Sequence, residues 1–322
     1  MGSGRWVRGV AAVVVTMGMA AGVAACGSGS SGGEVKQAAN GPLAGITLKV
    51  GSKDFAEQYI LGHIAMDVLK ANGAKVVDKT NIVGSDNTRK ALLGGDIDLY
   101  WDYTGTGWIT YLKNTKPIAD PAAQLKAVQE QDLKKNNIIW NDPAPLNNTY
   151  ALAVKTDTAK QLGVSTLGDL AALAQRDPGK VTICVESEFK GRDDGLPGLL
   201  KAYNINIPRG NVKTLDTGLI YTSTAKGKDC TFGEVFATDG RIKALNLTVL
   251  QDDKRFFPVY QAALTLRSDT ARAHPEIQRL LAPVAAKLTD EVMRSLNSRV
   301  DVDGEKPATV AEDWLKQAGF LK

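Results

Sequence analysis

Apolar positions along the chain alternate between short blocks and stripes of helical period. "GITLKVGS" at residues 45–52 reads as a buried strand, and "AEQYILGHIAMDVLKANG" follows with Ile60, Leu61, Ile64, Ala65, Val68 and Leu69 on one helical face. Asp54 and Glu57 stand at capping-box spacing at its start, with Asp in place of Ser or Thr. "AKVVDKTNI" predicts a second strand, "DNTRKALLGG" a short helix, and "DIDLYWDY" a third strand with Ile97, Leu99, Trp101 and Tyr103 on one face. That order, β-α-β-α-β, predicts an α/β fold with a mostly parallel sheet.

The pattern returns further on as "KVTICVE", "LPGLLKAYN", "NVKTL", "GLIYTSTAKGK" and "CTFGEVFA". Two α/β units predict two lobes. "NDPAPLNNTYALAVK" joins them, its prolines breaking any helix, and "FFPVYQAALTLR" makes the return. Helical patterns near 275–286, 289–300 and 307–319 cannot form a core alone, so they are expected to dock on the first lobe. The resulting division is 46–148 with 263–322 as the first lobe and 149–262 as the second.

The N-terminus changes the setting. Arg5 and Arg8 precede the apolar run "GVAAVVVTMGMAAGVAA", which ends in small residues and reads as an export signal over residues 1–25. The run is too poor in strongly apolar residues for a spanning helix. "VAAC" resembles a bacterial lipobox, so Cys26 is the expected lipidation site and residues 26–45, with "GSGSSGG", the expected flexible tether. The chain is thus expected at the cell membrane, lipid-anchored on the extracytoplasmic face. Cleavage removes two arginines and no acid, so the formal charge of +4 becomes +2. Scattered basic residues at that charge exclude nucleic acid as the expected partner. Cys184 and Cys230 remain, an even pair in an oxidising compartment, and predict a disulfide; the alternative is two buried free thiols.

The groups catalysis needs are missing from the pattern. His63 and His274 are the two histidines, neither at metal-ligand spacing, and no G-x-S-x-G elbow lies between a strand and a helix. Neighbouring carboxylates such as Asp193 and Asp194 read as solvated turn residues. The expectation is a binder without catalytic residues, metal or cofactor.

Two lobes joined by two crossovers leave a cleft, and ligands of open α/β sheets sit beyond the carboxyl ends of the strands. Tyr103 ends the third predicted strand, and "TGTG" then bends the chain into a helix that Thr104 or Thr106 can cap. Lys53 ends the first. A cation beside a helix start makes an anion half-site. Aromatic rings would make the other half, since a quaternary ammonium has no N–H to donate and is held by cation–π attraction. A zwitterion fits both halves.

Six stretches in order, "VGSKDFAEQYILG", "GGDIDLYWDYTGTG", "DPAPLNNTYALAV", "GRDDGLPGLLKAY", "VFATDGRIKALNLTVLQDDKRFFPVY" and "LTDEVMRSLNSRVDVDGEKPATVAEDWLKQAGFL", span about Gly45 to Leu321. Together they resemble the substrate-binding proteins of glycine betaine/carnitine/choline ABC transporters. The resemblance implies a two-lobed type II periplasmic-binding-protein fold with the ligand cleft between the lobes. It also implies a monomeric receptor that delivers a small osmolyte to a permease driven by a cytoplasmic ATPase. Residue by residue, the cage tyrosine before T-G-T is matched by Tyr103, and the second threonine of that motif by Thr106. The lysine of G-S-K is matched by Lys53, the tyrosine of N-N-T-Y by Tyr150, that of F-F-P-x-Y by Tyr260, and the arginine of R-x-D-G-x-P-G-L by Arg192. Phe236 stands where the family often has tyrosine, which keeps a π face and loses a hydroxyl. Gln58 and Tyr221 are weaker ligand candidates. Competing readings are the same receptor role for a bulkier aromatic or polyol ligand, and a cell-surface sensor or enzyme on the same fold.

Overall fold

The computed structural model describes residues 35–118 and 120–322. The signal segment 1–25 and Cys26 lie outside the described residues. Strands β1 (Thr47–Lys53), β2 (Lys75–Ile82), β3 (Leu99–Tyr103) and β4 (Ile138–Trp140) come first, then β5 (Tyr150–Lys155), β6 (Ile183–Val185), β7 (Val212–Thr214), β8 (Phe232–Phe236) and β9 (Leu247–Val249), and finally β10 (Ala262–Arg267). They form two five-stranded sheets, ordered β2-β1-β3-β10-β4 and β7-β6-β8-β5-β9. The chain leaves the first sheet after β4 and returns only as β10, so two crossover segments, 141–149 and 250–261, connect the sheets.

Each sheet is mixed rather than mostly parallel. Helices between β1, β2 and β3 return the chain for parallel pairing. β10 arrives from the other sheet and runs antiparallel to both β3 and β4, with Ala262 opposite Tyr103. β5 is likewise antiparallel to β8, placing Tyr150 opposite Phe236. All five residues of β3 are buried, because its sheet is covered on both faces. Regular alternation begins only at Leu99: Leu99, Trp101 and Tyr103 join one apolar cluster, while Ile97 sits with Tyr100 in another.

The helix Ala56–Ala71 buries Ile60, Leu61, Ile64, Val68 and Leu69, and the helices Glu276–Ala285, Asp290–Asp301 and Pro307–Gln317 pack against it. Met293, Leu296, Val310, Trp314 and Leu315 join the same apolar cluster, which is how the C-terminal segment finds a core. No capping box forms at its start. Phe55 is the N-cap and makes no side-chain cap; Asp54 instead accepts the Gly84 N–H at 3.1 Å, and Glu57 turns inward. Residues 37–45 pack against the end of this helix. Leu43 is fully buried, the Gln37 amide donates to Gly73 O at 2.9 Å, and the N–H groups of Ala38 and Leu43 reach Lys70 and Asn72. The buried Leu43 and these hydrogen bonds hold residues 37–45 on the helix end.

In the second lobe β6 and β8 are neighbours, which brings Cys184 and Cys230 to a Cα separation of 5.6 Å and joins them in a disulfide.

Candidate functional site

Because β1, β3, β5 and β8 all present an end toward the space between the two sheets, their terminal residues meet there. A cavity of about 500 Å3 is lined by Lys53, Tyr103, Thr106, Tyr150, Phe236 and Tyr260, six of the residues singled out from sequence. Phe55, absent from that set, stacks on Phe236 at 5.2 Å between centroids and on Tyr103 at 6.3 Å. Tyr150 stands 5.4 Å from Phe236 and 5.3 Å from Tyr260, the latter edge to face. Five rings, contributed by both lobes and a crossover, therefore form one wall. Phe55 stands between the strand-end Lys53 and the helix that starts at Ala56, and it lines the cavity together with Asp54.

The charged groups behind the rings are more committed than an open anion half-site. Lys53 Nζ lies 2.7 Å from Asp102 Oδ1 and 5.2 Å from the Tyr103 ring centre, both side chains nearly or fully buried. Asp102 also accepts the Tyr100 hydroxyl and the Tyr103 N–H. Arg192 is not at the cavity surface. Its guanidinium grips Asp194 through two bonds of 2.7 and 2.6 Å, reaches Glu188 at 2.7 Å, and lies 5.4 Å from the Tyr150 ring. Asp194 is thus a buried ion-pair partner, which also accepts the Tyr260 hydroxyl, and not a solvated turn residue. Against Lys53, four carboxylates line the cavity: Asp54, Glu186, Glu188 and Asp216.

The T-G-T-G segment differs from its expected role. The helical turn starts at Tyr103, and neither threonine caps it. Thr104 instead donates to Val259 O at 3.1 Å and accepts from the Gln124 amide. The glycines serve close approach and not a bend. A Cβ at Gly105 would fall 2.7 Å from Tyr260 Cε1, and one at Gly107 2.7 Å from Trp140 Cζ2.

Gln58 and Tyr221 do not line the cavity, for separate reasons. Gln58 is buried beneath it, its Oε1 accepting the Lys53 N–H at 3.1 Å. Tyr221 is fully buried, with its hydroxyl accepting the Phe236 N–H at 2.9 Å and its ring 4.1 Å from the Arg241 guanidinium. It supports the strand end that carries Phe236.

Glu57 gave no sequence signal beyond a cap position. Its carboxylate is fully enclosed and accepts from the Tyr103 hydroxyl at 2.7 Å, Asn148 Nδ2 at 2.9 Å, Asn297 Nδ2 at 3.0 Å and the Thr238 hydroxyl. Burial pushes this carboxyl above its usual range against the pull of those four donors. Burial, then the neighbouring Glu57 charge, pushes the Tyr103 phenol well up, so Tyr103 stays a neutral donor.

The family model described as "Substrate binding domain of ABC-type glycine betaine transport system" matches residues 46–317. The glycine-betaine-binding protein of Pseudomonas aeruginosa is 37% identical over 280 residues, covering 85% of this chain and 89% of that protein. An ergothioneine transport permease/ergothioneine binding protein of Helicobacter pylori is 36% identical over 85% of this chain, which spans 48% of that longer protein. Among solved structures, that of a glycine betaine/carnitine/choline ABC transporter is 30% identical with a TM-score of 0.69, covering 86% of this chain and 99% of that one. The two-lobed α/β fold is that of the type II periplasmic binding proteins, and these relatives are transport proteins, not enzymes. The chain belongs to the substrate-binding family of ABC-type glycine betaine transport systems, as the receptor component of an osmoprotectant transporter.

Proposed function

We propose that this receptor captures a quaternary-ammonium osmolyte, of the glycine betaine, choline or carnitine class, in an aromatic cage. Phe55, Tyr103, Tyr150, Phe236 and Tyr260 are its walls. The observation that carries this reading is the meeting of rings from both lobes at one cavity whose charged lining is mostly acidic. Each desolvated ring face attracts a cation that has no N–H by roughly 0.5 to 2 kcal/mol, and the acidic lining raises cation concentration at the mouth. The relatives named for glycine betaine support the class. In the cell, the protein acts as a monomer on the extracytoplasmic face of the membrane, tethered by lipid on Cys26. It hands ligand to a permease powered by a cytoplasmic ATPase.

A second reading, a bulkier aromatic ligand, draws on the ergothioneine-binding relative and on Phe236 at the cage wall. Calorimetric titration with glycine betaine, choline, carnitine and ergothioneine separates the two. Heat with at least one of the first three supports the quaternary-ammonium osmolyte, heat with ergothioneine alone supports the second reading, and none with any of the four overturns both. Cys26→Ser should release the protein from the membrane fraction; retention there would remove the lipid tether from the reading.

A further inference from the structure

Glu188 is the cleft carboxylate that contacts both lobes through its own side chain. It stands in the short helix Ser187–Gly191 of the second lobe, and its Oε1 lies 2.7 Å from Arg192 Nη1. Its Oε2 accepts the backbone N–H of Ser85, in the first lobe, at 2.9 Å. Burial pushes this carboxyl up, but Lys53, Arg192 and the Ser85 N–H together bring it down to about 2, so it is an anion throughout the physiological range. A guanidinium, an ammonium field and a free backbone N–H are the partners that a ligand's carboxylate would seek, and Glu188 already holds them.

The remaining cations offer no substitute. Lys53 is paired with Asp102, and Arg192 is held bidentately by Asp194. Asp54, Glu186 and Asp216 add further negative charge to the same lining. A ligand carrying its own carboxylate must either displace Glu188 from its Arg192 and Ser85 contacts or sit among like charges. A ligand that is only a cation meets neither cost, and is attracted by the rings and acids alike.

We propose that Glu188 is a specificity-determining residue which fills the anion pole of the cleft from within, so that the receptor prefers a quaternary ammonium without a carboxylate, such as choline, over a betaine. The proposal rests on the aromatic-cage reading above, and deepens it by fixing the charge class of the ligand.

The test is calorimetric titration of the full chain with choline and with glycine betaine, for wild type, Glu188→Gln and Glu188→Asp. Wild type should bind choline at least tenfold more tightly. Glu188→Gln should lower that preference at least tenfold, chiefly by gaining affinity for glycine betaine, and Glu188→Asp should keep the wild-type order. A wild type that prefers glycine betaine, or a preference unchanged in a Glu188→Gln protein with a native circular dichroism spectrum, overturns the role of Glu188 and leaves the cage standing. Wild type binding neither ligand overturns the choline preference, and wild type binding neither of them nor carnitine overturns the cage reading as well. Should Glu188→Gln not fold, the wild-type order decides.

Discussion

Tyr103 supports the enclosed Glu57 and is a wall of the proposed cage, and two substitutions separate the two roles. Tyr103→Phe keeps the ring and removes the hydroxyl that donates to Glu57 at 2.7 Å. Glu57 is enclosed and left with Asn148, Asn297 and Thr238 as donors. A hydrogen bond to a charged group contributes about 1.5–3 kcal/mol. In a protein of this size about 1 kcal/mol moves the melting temperature by roughly 2 °C, so Tyr103→Phe should melt about 3–6 °C lower. Its ligand affinity should stay within about threefold of wild type, since the π face is intact. Tyr103→Ala also removes the ring. It should lose about 3–5 kcal/mol of stability to the cavity left behind, and about tenfold or more in affinity, because a desolvated wall contributes up to about 2 kcal/mol. Scanning calorimetry and titration calorimetry on the three proteins measure both quantities. An unchanged melt for Tyr103→Phe refutes the Glu57 contact as a stabilising one, and unchanged affinity for Tyr103→Ala refutes the ring as a wall.

Gly105→Ala places a Cβ 2.7 Å from the Tyr260 ring and 2.9 Å from Val259 O, so it should destabilise by about 1–3 kcal/mol and weaken ligand binding, while Gly191→Ala, with open space around it, should be near neutral in the same melts. Reducing the Cys184–Cys230 bond, which closes a separation of 46 residues, should cost up to about 4 kcal/mol in a denaturant titration; coincident oxidised and reduced curves would contradict the chain-entropy account. Burial, then Asp239, pushes the Asp301 carboxyl from 3.8 up to about 6. The folded state therefore binds the extra proton, and this group's contribution to stability falls as pH rises from about 3.8 to about 6; Asp301→Asn should flatten that part of the stability–pH curve.

The sequence showed its strongly periodic elements well. The expected C-terminal helices correspond to Glu276–Ala285, Asp290–Asp301 and Pro307–Gln317, and each carries a clear apolar stripe. Pro121–Asn136 has no such stripe and leaves no periodic signal: Val128 is buried together with the polar Gln124 and Asp132, and Asp132 is held by Arg89 and Trp140. Its start was nonetheless written in Asp120 and Pro121, a capping acid followed by proline. At the site, the rings at strand ends were legible because strand position and motif coincide. The pairing of Lys53 with Asp102, and of Arg192 with Asp194 and Glu188, was not. Charge partners chosen across a fold leave no periodic trace, and a lysine beside a cleft looks the same whether or not it is already neutralised.

The enclosed Glu57 carboxylate has a mechanical consequence. Its four donors come from the end of β3, from the crossover residue Asn148, from Thr238 just beyond β8, and from Asn297 in a C-terminal helix. The Tyr103 ring at the cavity and the segments that join the two halves of the molecule are thus fastened to a single atom group. Prying the halves apart pulls on the same knot that aims Tyr103, so the posture of the molecule and the shape of its pocket are one variable and not two.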